Sequence, residues 1–156
     1  MKNIFCAAAA AIVLMAAAAA ETPSAIFDDY WQTALKEDPF SATGSGVSDY
    51  NDGVPAVAPS DHDRRLAQAK AFKARLDALD PAALSEEDRL NVALLRFILK
   101  HDIALAAFRP WRMPFLSDSG FHTSMGYVVA ATTFRTESDY ESYLKRLAAL
   151  PVYIDQ

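Results

Sequence analysis

The amino-acid sequence predicts an all-α protein, a layered helical array around one long central helix, and three observations lead there. Ser85 to Phe108 (SEEDRLNVALLRFILKHDIALAAF) keeps a helical apolar rhythm over about two dozen residues, which at ~1.5 Å per residue span about 36 Å. Ser60 with Asp63, Ser85 with Asp88 and Thr136 with Asp139 each place a hydroxyl three residues before an acid. Such capping boxes satisfy the amides that no helical carbonyl reaches. Prolines at 39, 81 and 110 punctuate the apolar runs, where a missing N–H breaks the helical ladder.

Composition narrows the class. Of 156 residues, 52% are hydrophobic and 22% charged, which excludes general disorder and suits one domain or part of a larger one. The 15 basic residues face 20 acidic ones, for a net charge of −5, and no Lys/Arg stripe forms, so nucleic acid is excluded as a partner. Residues 1–20 read as an export signal: Lys2, an apolar run from Ile4, and Ala18-x-Ala20 ahead of Glu21. Cleavage after Ala20 leaves residues 21–156 as a helical segment destined for the periplasm or the exterior, with no membrane contact. Cys6, the single cysteine, departs with the signal, which excludes a disulfide, a thiolate metal site and a cysteine nucleophile.

The elements follow in order. Thr22-Pro23 opens a helix as N-cap and first-turn proline, Phe27, Tyr30, Trp31 and Ala34 line its apolar side, and Pro39 closes it. From Pro39 to Pro59 the chain reads as a loop of roughly twenty residues wrapped around the helical body. Its glycines match no phosphate cradle, and its carbonyl side chains no calcium loop. Ser60 to about Leu79 forms the next helix, with Leu66, Ala69, Phe72, Leu76 and Leu79 on one side and a back of Ala67, Ala71, Ala74 and Ala78 that invites a close neighbour. Asp80-Pro81 turns it into a hairpin with the central helix.

That central helix carries two apolar faces: Leu90, Leu94, Phe97, Ile98, His101, Leu105 and Phe108 on one, Val92, Leu95, Leu99, Ile103 and Ala106 on the other. Two faces call for two partners, so the helix reads as sandwiched. Residues 109–126 read as irregular, 127–134 as a short buried helix, and Thr136 to Leu150 as the last helix, with Tyr140, Tyr143, Leu144, Leu147 and Leu150 inward. Pro151 then reads as the start of a further helix without a body, a sign of a cut chain.

Little catalytic chemistry is visible. The three histidines lack metal-binding spacing, the Thr43-Gly44-Ser45-Gly46 stretch is no nucleophile elbow, and Glu86-Glu87-Asp88 suits the positive end of a helix. His62 reads as a solvated surface residue and His101 as a core histidine. The candidate cleft-lining residues are Trp111, Arg112 and His122, with Phe115 beside them, because guanidinium groups among aromatics in irregular backbone suit a planar anion. A competing account has Arg109 and Arg112 capping the carboxyl end of the central helix.

The order of segments resembles the amino-terminal part of the secreted bacterial proteins of domain-of-unknown-function family 885 (DUF885). Tyr30-Trp31 leading to Asp38-Pro39-Phe40-Ser41-Ala42-Thr43, then Tyr50-Asn51-Asp52, Leu79-Asp80 through Leu84-Ser85 to Asp88 and Asn91, and Phe134-Arg135-Thr136 through Asp139-Tyr140 and Arg146-Leu147 to Leu150-Pro151 carry it. The resemblance implies a longer helical protein related to zinc-dependent peptidases of the zincin type, its His-Glu metal helix downstream of Gln156. No catalytic or metal residue carries over to this segment, and zinc is expected only in a longer protein. The expected partners are the remainder of its own chain and, in the full protein, a peptide substrate. Two readings follow: an inactive amino-terminal segment of an exported metallopeptidase-like hydrolase, or a small exported helical module that binds a partner without catalysis.

Overall fold

The computed structural model describes residues 21–115 and 120–156, apart from the side chains of Phe121, His122 and Ser124. The proposed signal, with Ala18 and Ala20, lies outside the described residues. Six α-helices appear among the latter: α1 (Pro23–Glu37), α2 (Pro39–Gly44), α3 (Pro59–Asp77), α4 (Glu86–Ala106), α5 (Phe121–Ala131) and α6 (Glu137–Asp155). Short 3-10 turns cover Ser48–Tyr50, Pro81–Ala83 and Pro110–Arg112. The only β feature described is an isolated bridge between Phe115 and Gly120.

Local chemistry explains most helix ends. The Thr22 hydroxyl accepts the Ala25 N–H at 3.3 Å and opens α1. Asp38 ends α1 and at once starts α2, its carboxylate accepting the Phe40 and Ser41 N–H groups at 3.1 Å each. Ser85 caps α4 through the Asp88 N–H at 3.0 Å. At α6 the Asp139 carboxylate takes the N–H groups of Arg135 and Thr136 at 2.8 and 2.7 Å, and these bonds to the charged form hold its pKa below the usual carboxylate range.

The core lies between α1, α3 and α4. Ile26, Phe72, Leu76, Leu84, Val92, Leu95 and Leu99 are buried together. Each such side chain contributes about 1.5–3 kcal/mol on leaving water. Tyr30 meets Phe72 edge-on, ring centres 5.5 Å apart, and burial, then the Asp102 charge, raises its pKa.

A second centre is polar. Arg146 of α6 is fully buried and forms no ion pair among the described residues, although the Asp52 charge offsets part of the lowering of its pKa by burial. Its guanidinium donates to the carbonyls of Gly53 at 2.8 Å, Tyr50 at 2.7 Å and Pro39 at 3.3 Å, and to the Thr43 hydroxyl at 2.9 Å. The Phe40 ring covers it, 5.6 Å from the guanidinium carbon. Thr43 in turn lies 2.7 Å from the buried Asn51 side chain. Residues 38–43, 50–52 and 146, all among the motifs that carry the family resemblance, thus meet around one cation.

Several expectations change. α4 is covered on one side only: Val92, Leu95 and Leu99 are buried, while Leu90, Leu94, Phe97, Ile98, Leu105 and Phe108 are 38–79% exposed. The sandwich is therefore half built, because helical periodicity marks both faces and α3 reaches only one. Residues 39–59 are no continuous loop, since Asp38 and Pro39 start α2. α3 begins at Pro59, and the Asp61 carboxylate, not Asp63, receives the Ala58 N–H at 3.1 Å. Its alanine back, Ala67, Ala71, Ala74 and Ala78, is exposed rather than packed. Ile26 and Leu35, not the aromatics, are the buried residues of α1, and Trp31 is 47% exposed. α5 already begins at Phe121, and α6 runs through Pro151 to Asp155, so no new helix starts at Pro151.

Candidate functional site

α4 ends where Arg109 takes a left-handed conformation (φ 49°, ψ 58°), which costs a side chain other than glycine roughly 1 kcal/mol. The Pro110–Arg112 turn then carries Trp111 back to α3. There the indole stacks on His62, ring centres 4.3 Å apart and 8° from parallel. Such strain is found where surrounding contacts fix the backbone, and it marks this corner as a candidate site.

The stack sits in the wall of an open cleft of about 820 Å³, within the range of small-molecule and peptide sites. Val57, Pro59, His62 and Asp63 line it from the amino end of α3, Arg109, Trp111, Arg112, Pro114 and Phe115 from the turn, and Tyr153, Ile154 and Gln156 from the end of α6. A smaller cavity of about 310 Å³ behind the stack touches Tyr30, Glu37, Arg65 and Asp102. The Gln156 side chain accepts the Val57 N–H at 3.1 Å, closing one rim.

Electrostatics differ around the cleft. His62 is half-buried, and burial, followed by the Arg65 charge, pushes its pKa down. Arg65 Nη2 lies 3.3 Å from His62 Nδ1. Because guanidinium only donates, Nδ1 accepts and the ring proton resides on Nε2. Burial, then Asp38, raises the Tyr153 hydroxyl pKa.

The remaining arginines near the core have partners: Arg64 and Arg65 on Glu37, Arg75 on Glu21 and Asp29, Arg96 on Asp77. Arg109 and Arg112 form no ion pair among the described residues. They do not cap α4, whose end carbonyls bond backbone amides of Ala107, Phe108 and Arg109.

Of the residues singled out in the sequence, Trp111, Arg112 and Phe115 therefore share one cleft. His122 falls in the first turn of α5, and its side chain lies outside the described residues. His62 was missed: its acidic neighbours suggested a solvated residue, and the only available signal was a ring on the α3 face next to Leu66 and Ala69. His101 is exposed, beside Phe97 at 4.3 Å on the bare side of α4, and is no core histidine. Among the described residues no group of three or more His, Cys, Asp or Glu stands close enough to hold a metal ion, and no helix is long and apolar enough to cross a membrane.

Comparison with known proteins adds one finding: the family model described as a bacterial protein of unknown function (DUF885) matches residues 39–156. Neither a curated protein nor a solved structure matches.

Proposed function

The chain belongs to the DUF885 family of bacterial proteins of unknown function, and on that footing we propose that it is a non-catalytic helical interaction module. One observation carries the reading: the uncovered side of α4, where Leu90, Leu94, Phe97, Ile98, Leu105 and Phe108 stand exposed along five turns. A stripe of that kind, on the order of several hundred Å², matches the largest apolar patch of a typical monomer, and such patches are often interaction sites.

The occupant we name is a permanently docked helix of the same polypeptide. His101, beside Phe97, is the one polar side chain among these apolar ones, and a face so largely apolar belongs to obligate, core-like interfaces rather than to transient ones with polar rims. Export through residues 1–20 with cleavage after Ala20 is part of the proposal, and amino-terminal sequencing of the purified protein tests it by finding or missing Glu21. The peptidase activity and zinc that the resemblance implies are not; among the described residues no group of three or more His, Cys, Asp or Glu could hold a metal ion.

The test compares wild type with Leu94→Asp/Phe97→Asp. The wild-type chain alone should bind an apolar dye at this face, and an added amphipathic helical peptide should displace the dye. The variant should lose both while melting within about 1 kcal/mol of wild type, since exposed positions carry little stability. A variant that fails to fold overturns the module, because the face is then covered by the helices of residues 21–156 themselves. A wild-type dimer dissolved by the substitutions transfers the role of occupant to a second copy.

A further inference from the structure

A different feature, the open cleft whose wall holds the Trp111–His62 stack, lends itself to a ligand of its own. We infer that it binds an apolar carboxylate, the acid held by Arg109 and Arg112 and the apolar body laid against Trp111 and Phe115.

Four observations converge on that chemistry. Both guanidinium groups line the cleft and, among the described residues, neither meets a carboxylate, in contrast to Arg64, Arg65, Arg75 and Arg96. A guanidinium fork matches a carboxylate with two parallel hydrogen bonds. Burial pushes the His62 pKa below its ordinary value, away from the charged form, so the charged side chains of the lining are the two arginines and Asp63. The stack also leaves one indole face committed to His62 and fixes the ring, which gives a flat apolar wall at little entropic cost. Asp63, which lines the same cleft from α3, supplies an acceptor for an amide N–H next to the acid, as at the carboxyl end of a peptide.

Two sources supply such a group, a free small acid and the terminus of a polypeptide, and the experiment separates them. Trp31→Phe leaves Trp111 as the single tryptophan, and its fluorescence reports titration with N-acetylphenylalanine, with a tetrapeptide ending in Phe as the free acid, and with the same tetrapeptide as its amide. The free acids should change Trp111 emission saturably, and the amide should bind at least about tenfold more weakly, the scale of a lost charge-assisted pair. Arg109→Gln and Arg112→Gln, on the same background, should each weaken the acids by a similar factor with unchanged far-ultraviolet circular dichroism and melting. A tetrapeptide that binds more tightly than N-acetylphenylalanine identifies a chain terminus as the ligand; equal affinities identify a small acid. Equal affinity of acid and amide, no saturable change up to millimolar concentration, or wild-type binding by the Arg109→Gln/Arg112→Gln double variant overturns the inference.

Discussion

His62 lies where the indole of Trp111 shields it from water and the Arg65 guanidinium donates to its Nδ1. Burial comes first and the Arg65 charge second in lowering its pKa. The unfolded chain, with a histidine near pH 6.5, binds this proton at higher pH than the folded one does. Stability is therefore fully present above about pH 6.5 and declines as pH falls through the window down to the lowered folded value, by at most about 1.4 kcal/mol per pH unit. Urea denaturation of wild type and His62→Gln from pH 7.5 to 5 checks this. The difference between the two should shrink or change sign as the buffer is acidified, and parallel curves throughout that range would remove the neutral-ring assignment.

At the scale of single elements, α4 shows how far local pattern reaches. Leu99 is 1% exposed on the α3 side and Leu94 is 56% exposed on the other, although both belong to apolar faces of the same helix. Leu99→Ala should cost about 2–5 kcal/mol, a lost core side chain plus its cavity, whereas Leu94→Ala should stay within about 0.5 kcal/mol. Chemical denaturation of the two variants decides it, and equal losses would mean that α4 is covered on both sides. The ends of α4 and α6 were legible because Ser85, Thr136 and Asp139 bond to amides only three or four residues away. Which apolar face finds a partner was not, since that depends on where α3 lies. Proline misled twice, at Pro39 and Pro151, because the same residue closes one helix, opens the next or sits inside one with a local break in the ladder. Half of the cleft was readable from Trp111 and Arg112. The other half, His62 and Asp63, reaches it only through the left-handed Arg109, a backbone state that no residue-type preference announces.

Taken whole, the molecule has two centres of different chemistry joined by α1, which touches both α2 and α3. One is the apolar cluster of α1, α3 and α4. The other is Arg146, which ties α6 to residues 39–53 through hydrogen bonds and the Phe40 ring over its guanidinium, reinforced at its edges by Phe40 against Tyr153 and Phe134 against Tyr143, ring centres 5.5 and 5.2 Å apart. Removing the guanidinium strands the carbonyls it serves in a dry interior. Arg146→Met should therefore lower the opening free energy of this half on the order of 3–5 kcal/mol. Because the apolar cluster contains no Arg146 contact, the loss should stay local. Hydrogen exchange read by mass spectrometry should accelerate across residues 39–53 and α6 while amides of α3 and α4 keep their wild-type protection. Uniform acceleration through all six helices would show instead that the buried cation holds the entire fold as one cooperative unit.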